Sequence, residues 1–125
     1  MKLAATIALF CAGGGLTRYY LSGWLHNLLG RGFPYGTLVA NVIGAYFIGL
    51  IMELSLRSTL LSATLRIGLT VGFMGGLTTF STFSYETFKL LEEGQFLMAF
   101  ANVLASVAVC LLCTWLGIVT VRSLA

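Results

Sequence analysis

The sequence predicts an all-α membrane protein built as one domain over residues 1–125, and three observations carry that expectation. Hydrophobic residues make up 58% of the chain and charged residues only 9%, whereas charged residues are about a quarter of a soluble domain. The apolar residues fall into long runs, and the length allows about four membrane spans at roughly 20 residues each. Glycine is abundant, with 15 residues against a single proline. Small residues suit membrane helices, whose backbones pack closely. Four short helices leave little room for a sealed pathway inside one bundle, so oligomerisation is expected.

The first span is expected over about residues 3–25; it contains Gly13-Gly14-Gly15 and Arg18. Its start, Met1-Lys2 and an apolar run, mimics a signal peptide. Phe10 before Cys11 is too bulky for the usual cleavage site, and the segment reads as a span. A short polar hinge, His26 to Pro34, leads to a second span over about residues 35–56. Its small residues Ala40, Gly44 and Gly49 favour close packing. After a polar loop comes a third span over about residues 65–91.

This third span is interrupted by Gly72-Phe73-Met74-Gly75-Gly76-Leu77-Thr78-Thr79-Phe80-Ser81-Thr82-Phe83-Ser84. Glycine weakens helices, and hydroxyls offer the backbone alternative bonds. Irregular backbone at membrane depth survives only where protein buries it or a wet cavity meets it. A broken third helix and an ion site follow as expectations. Glu92-Glu93-Gly94 makes the next turn, and a fourth span runs over about residues 96–121.

With an even number of spans both termini share a side. That side holds Lys2, Arg57, Arg66 and Arg122, and the other holds Arg31 and Lys89, with Arg18 if it reaches out. The bias is small, and orientation follows such a bias. The chain is therefore expected to insert both ways and to pair as an antiparallel dimer, with its axis in the membrane plane. The scattered basic residues form no nucleic-acid patch.

Several residues could carry chemistry. Arg18 reads as a snorkelling span-end residue or as a vestibule charge that attracts anions. Asn41, mid-span, must satisfy its amide, as interhelical glue or by donating to an anion. Phe80 and Phe83, three apart, share a helical face. They pack apolar surface, or turn their partly positive ring edges to an anion; conduction needs binding of that intermediate strength. Asn102, Ser106, Cys110 and Thr114 recur every four residues as one polar stripe, either helix–helix glue or a donor track. Glu86 lies at a span end or points into the pathway. His26 reads as a loop residue without a role, and Glu53, Glu92 and Glu93 as solvated ends. Cys110 and Cys113 are spaced C-x-x-C, but with no His or acidic neighbour they read as packing residues. No carboxylate lies in the middle of any span, which argues against proton-coupled cation export, and no catalytic constellation is present.

The motifs Gly-Gly-x-x-x-Arg-Tyr in span one, Gly-Thr-Leu-x-x-Asn-x-x-Gly in span two and Gly-x-x-Gly-Gly-Leu-Thr-Thr-Phe-Ser-Thr-Phe-Ser in span three together resemble the Fluc/CrcB fluoride channels. The resemblance covers essentially the whole chain. It implies a dual-topology homodimer of antiparallel four-helix subunits in the bacterial inner membrane, with two fluoride pores flanking the dimer interface. A structural Na⁺ would be held by backbone carbonyls of both subunits, at positions matching Gly75 and Thr78. Phe80, Phe83 and Asn41 match pore residues. Ser81, Thr82, Glu86 and Thr114 fall where polar pathway groups are expected, with Ser106 on the more variable fourth helix. Arg18 matches the vestibule residue. The function implied is passive export of trapped fluoride. The rivals are a small dual-topology multidrug exporter, which would carry a carboxylate in span one, and a non-transporting assembly subunit.

Overall fold

The computed structural model describes residues 1–124, and all regular structure among them is helical. Helix α1 is Lys2–Leu29, 28 residues, about 42 Å at 1.5 Å per residue. It runs past the expected end of span one, so His26 is a helical residue of its last turn and not part of a loop. The stop comes at Gly30, whose φ of 82° is open to glycine and strained for other residues. Pro34 then precedes α2, Tyr35–Arg57. Its carbonyl accepts from the Leu38 N–H at 3.2 Å, and proline suits this edge of a helix, where an amide N–H is not needed.

The next helical stretch, α3, covers residues 63–77. Ser62 caps it by accepting from the Leu65 N–H at 3.2 Å. It begins as α-helix over Ala63–Ile67, widens to π-helix over Gly68–Met74 and closes with Gly75–Leu77. The sequence did not announce the wide turns, which in membrane and soluble proteins alike mark irregular, often functional, helix. The helical run ends at Leu77; Thr78 and Thr79 are extended, with ψ of 154° and 116°. Helix α4, Phe80–Glu92, starts with Thr79 as its cap, the hydroxyl accepting from the Thr82 N–H at 3.2 Å. It closes with Gly94 at φ 74° and paired bonds from Gly94 N–H to the Leu91 carbonyl and from Gln95 N–H to the Leu90 carbonyl. That is the left-handed glycine stop common at helix ends. Helix α5, Phe96–Leu124, completes the chain.

Two seams hold the bundle. Helix α2 packs along α5, and α1 packs along α3. Both seams bring backbone against backbone. A Cβ at Gly49 would meet the Thr114 carbonyl, and one at Gly117 the Tyr46 carbonyl; across the other seam, one at Gly14 would meet the Phe73 carbonyl and one at Gly76 the Cys11 carbonyl. The central apolar cluster is small: Ala40, Met74 and Leu77, with Leu21, Ile43, Ile48 and Phe73 packed on it. Many large apolar side chains instead face outward, among them Leu9, Trp24, Phe88, Phe100, Leu111 and Trp115. So much exposed apolar surface suits lipid and not water. By length and composition α2 and α5 are able to cross a membrane.

One expected surface residue is interior. Glu53, read as a solvated end, is 7% exposed. Its Oε1 accepts from Arg57 Nε at 2.6 Å and from Arg122 Nε at 2.9 Å. The packing of α5 along α2 covers the carboxylate and delivers Arg122 to it, which no local reading of α2 reveals.

Candidate functional site

The site is organised by the two extended residues between α3 and α4. Breaking a helix leaves backbone groups without their partners, and the side chain of Asn41 on α2 takes up a pair of them. Thr79 N–H donates to Asn41 Oδ1 at 2.8 Å, and Asn41 Nδ2 donates to the Thr79 carbonyl at 3.2 Å. The amide thus satisfies both backbone groups of one residue, with one N–H left over. Diverting the Thr79 N–H has a second effect. It is the donor that would have reached the Gly75 carbonyl in a continuous helix. Thr78 N–H and Oγ1–H both turn to the Met74 carbonyl, at 2.9 and 2.8 Å. No hydrogen bond reaches the carbonyl oxygens of Gly75 or Thr78 among the described residues.

A cavity of about 440 Å³ opens beside the break. Asn41, Gly75, Thr78, Phe80, Phe83, Ser106 and Thr114 line it, together with Thr79 and Cys110, and no charged residue does. The rings of Phe80 and Phe83 stand 5.3 Å apart, tilted by 48°. The Ser106 hydroxyl is buried and has no hydrogen-bond partner among the described residues. Phe80 itself is 78% exposed on the single chain.

The polar stripe of α5 divides. Ser106, Cys110 and Thr114 face this cavity. Asn102, 1% exposed, does not; its Nδ2 donates to Thr87 Oγ1 at 2.9 Å, and Thr87 donates to the Phe83 carbonyl at 2.7 Å. It ties α4 to α5.

A second, larger cavity of about 810 Å³ also meets the break. Arg18, His26, Arg31, Thr37, Thr82 and Glu86 line it, and Thr79 lines both cavities. Thr37 donates to Glu86 Oε1 at 2.9 Å, while Glu86 Oε2 is buried without a partner. Arg18 is half-buried and makes no ion pair among the described residues. Ser81 stands apart: it is exposed, lines neither cavity, and its hydroxyl lies 3.3 Å from that of Thr79.

Two residues of weight were missed by the sequence reading, Thr79 and Thr37. Thr79 had a local signal, since threonine is among the residues preferred at a helix N-cap. Thr37 had none, because its partner Glu86 is 49 residues away. Among the described residues no cluster of three or more His, Cys, Asp or Glu stands ready for a metal, and the three cysteines are free thiols.

A family profile described as "CrcB-like protein, Camphor Resistance (CrcB)" matches residues 5–118. A protein of Trichlorobacter lovleyi named "Fluoride-specific ion channel FluC" is 88% identical over 125 residues, covering 100% of both chains. Proteins of the same name from Pelobacter propionicus and Geobacter metallireducens are 77% and 67% identical over 124 residues, covering 99% of this chain and 96% and 100% of theirs.

Proposed function

The chain belongs to the CrcB family, and from that premise we propose that it passively exports fluoride from the bacterial cytoplasm, as a dual-topology homodimer of four-span subunits in the inner membrane. It is a fluoride-specific ion channel and not an enzyme. The observation that carries the mechanism is Thr79, which lines both cavities at the helix break. A basic mouth and an uncharged chamber of hydroxyls and ring edges thus meet at one residue.

The anion first meets the field of Arg18 and Arg31 in the larger cavity. The two arginines outnumber the one carboxylate of that lining, Glu86, and a cleft of net positive charge concentrates anions. Thr82 then supplies a hydroxyl, oriented by the bond it accepts from Thr79 Oγ1 at 3.0 Å, Asn41 its spare N–H, Phe80 and Phe83 their ring edges, and Ser106 and Thr114 further hydroxyls. These neutral donors replace water around a small anion without the grip of a fixed cation, as conduction requires. Export follows acid trapping: neutral HF crosses the bilayer and dissociates inside, and the membrane potential drives the anion out.

The single chain leaves Gly75, Phe80 and Ser81 exposed beside the break. Polar backbone and hydroxyls facing lipid are costly, which supports a second copy covering this face. The carbonyls of Gly75 and Thr78, relieved of hydrogen bonds, suit a hard cation with oxygen ligands. A Na⁺ shared with the partner would supply fixed positive charge at the dimer axis, and these two residues would hold it.

The test is purified protein in fluoride-loaded liposomes, with valinomycin and a K⁺ gradient setting the voltage. We expect voltage-driven fluoride release. The double variant Phe80→Ile, Phe83→Ile should lose at least about tenfold in rate, equivalent to 1.4 kcal/mol, with its dimer peak unchanged. A wild-type protein that releases no fluoride would overturn the proposed function, and an unimpaired double variant would remove the ring-edge mechanism.

A further inference from the structure

A cluster around the buried Glu53, where α2 and α5 end, lies outside both cavities. Its centre is the Glu53 carboxylate, with Arg57 and Arg122 both donating through Nε to the same oxygen, Oε1. Two guanidinium groups that share one acceptor atom sit side by side, closer than the two bonds laid end to end. One carboxylate offsets only one of the two cations, so the cluster keeps a surplus positive charge.

Neither arginine makes a further hydrogen bond among the described residues, and their side chains are 45% and 57% exposed. Since Nε is the atom committed to Glu53, the Nη groups of each fork remain available. Both residues stand in the last turns of their helices, where the negative helix end steadies a cation. These are also the two helices apolar enough, by length and composition, to cross a membrane; a bilayer spanned by them would place the cluster at headgroup depth. The planar fork of arginine matches phosphate oxygens two at a time, and anionic leaflets attract basic groups at this depth.

We propose that Arg57 and Arg122, pre-set by Glu53, form a binding site for the phosphate headgroup of an anionic phospholipid. The proposal rests on the chain spanning a membrane and not on fluoride transport, so the two can fail separately.

The test is native mass spectrometry of the purified full-length protein in detergent, titrated with phosphatidylglycerol and, separately, phosphatidylcholine. The choline cation offsets its own phosphate, so we expect phosphatidylglycerol to bind at least about tenfold more tightly, a difference of 1.4 kcal/mol. Arg57→Gln with Arg122→Gln should abolish the preference. Arg57→Lys with Arg122→Lys retains charge to pair with Glu53 and hence the fold, but lacks the fork. Its preference should fall several-fold. Equal binding of the two lipids by the wild type, or a lysine variant indistinguishable from it, would overturn the proposal. So would displacement of the lipid by inorganic phosphate alone, which would make this a site for the free anion.

Discussion

The α2–α5 seam and the half-helix α4 are built on opposite terms. In the seam, glycines put backbone against backbone: Gly49 faces the Thr114 carbonyl and Gly117 faces the Tyr46 carbonyl. Nothing there adapts, because a carbonyl cannot move without its helix. Helix α4 packs far more sparsely and is pinned by side-chain hydrogen bonds: Asn41 at its start, Thr37 to Glu86, and Asn102 to Thr87. The difference separates two duties. A close-packed frame sets the positions of helices, while a polar-pinned segment carries Phe80, Thr82, Phe83 and Glu86 to the cavities. Dispersion in the seam is collective and short-ranged; hydrogen bonds on α4 are few, directional and individually removable.

The largest expected effect comes from forcing the frame. Gly117→Leu must displace the Tyr46 backbone and should cost about 3 kcal/mol or more, seen as loss of folded protein in gel filtration and thermal melts. Gly15→Ala is its control, because nothing lies within 4 Å of the added carbon; a melt equally shifted by both would undo the account of the seam. Next is the clamp. Asn41→Leu strands the Thr79 N–H and carbonyl, at roughly 1–3 kcal/mol for each buried group left unpaired. Hydrogen exchange should quicken at Thr79 and the start of α4 while α2 and α5 stay protected, and fluoride release should fall sharply. Uniform exchange across all helices would mean the half-helix is not a separate element. The smallest effect belongs to Asn102→Leu, which removes one interhelical bond, worth about 0.6–1.7 kcal/mol in membranes. Faster exchange in the second half of α4, with the break still protected, is the expected signature; no change there would assign Asn102 to packing alone.

Much of the fold was legible because burial in lipid writes itself as long apolar runs. The segments expected as spans one, two and four each lie within a single helix, with ends off by a few residues where Gly30 and the last turn of α5 set them. The region around Gly75 to Ser84 stood out because glycines and hydroxyls in an apolar run conflict with a plain helix. Pairings across distance were not legible. Asn41 and Thr79 are 38 residues apart, and Glu53 and Arg122 are 69. Periodicity reports which face a residue occupies and not what lies opposite. Hence Asn102 read as one of four equivalent stripe residues, Glu53 read as solvated, and the π-helical stretch Gly68–Met74 went unseen.

By itself the sequence determined an all-helical chain suited to a membrane, its family and the glycine- and hydroxyl-rich segment where α3 gives way to α4, since composition and local conformational cost are properties of neighbouring residues. Only the tertiary structure decided that Asn41 is spent on closing the break, that Thr79 stands between two cavities, and that one carboxylate gathers two arginines. Each of those depends on which helix lies against which, and that choice is made by shape and hydrogen-bond satisfaction over the whole bundle.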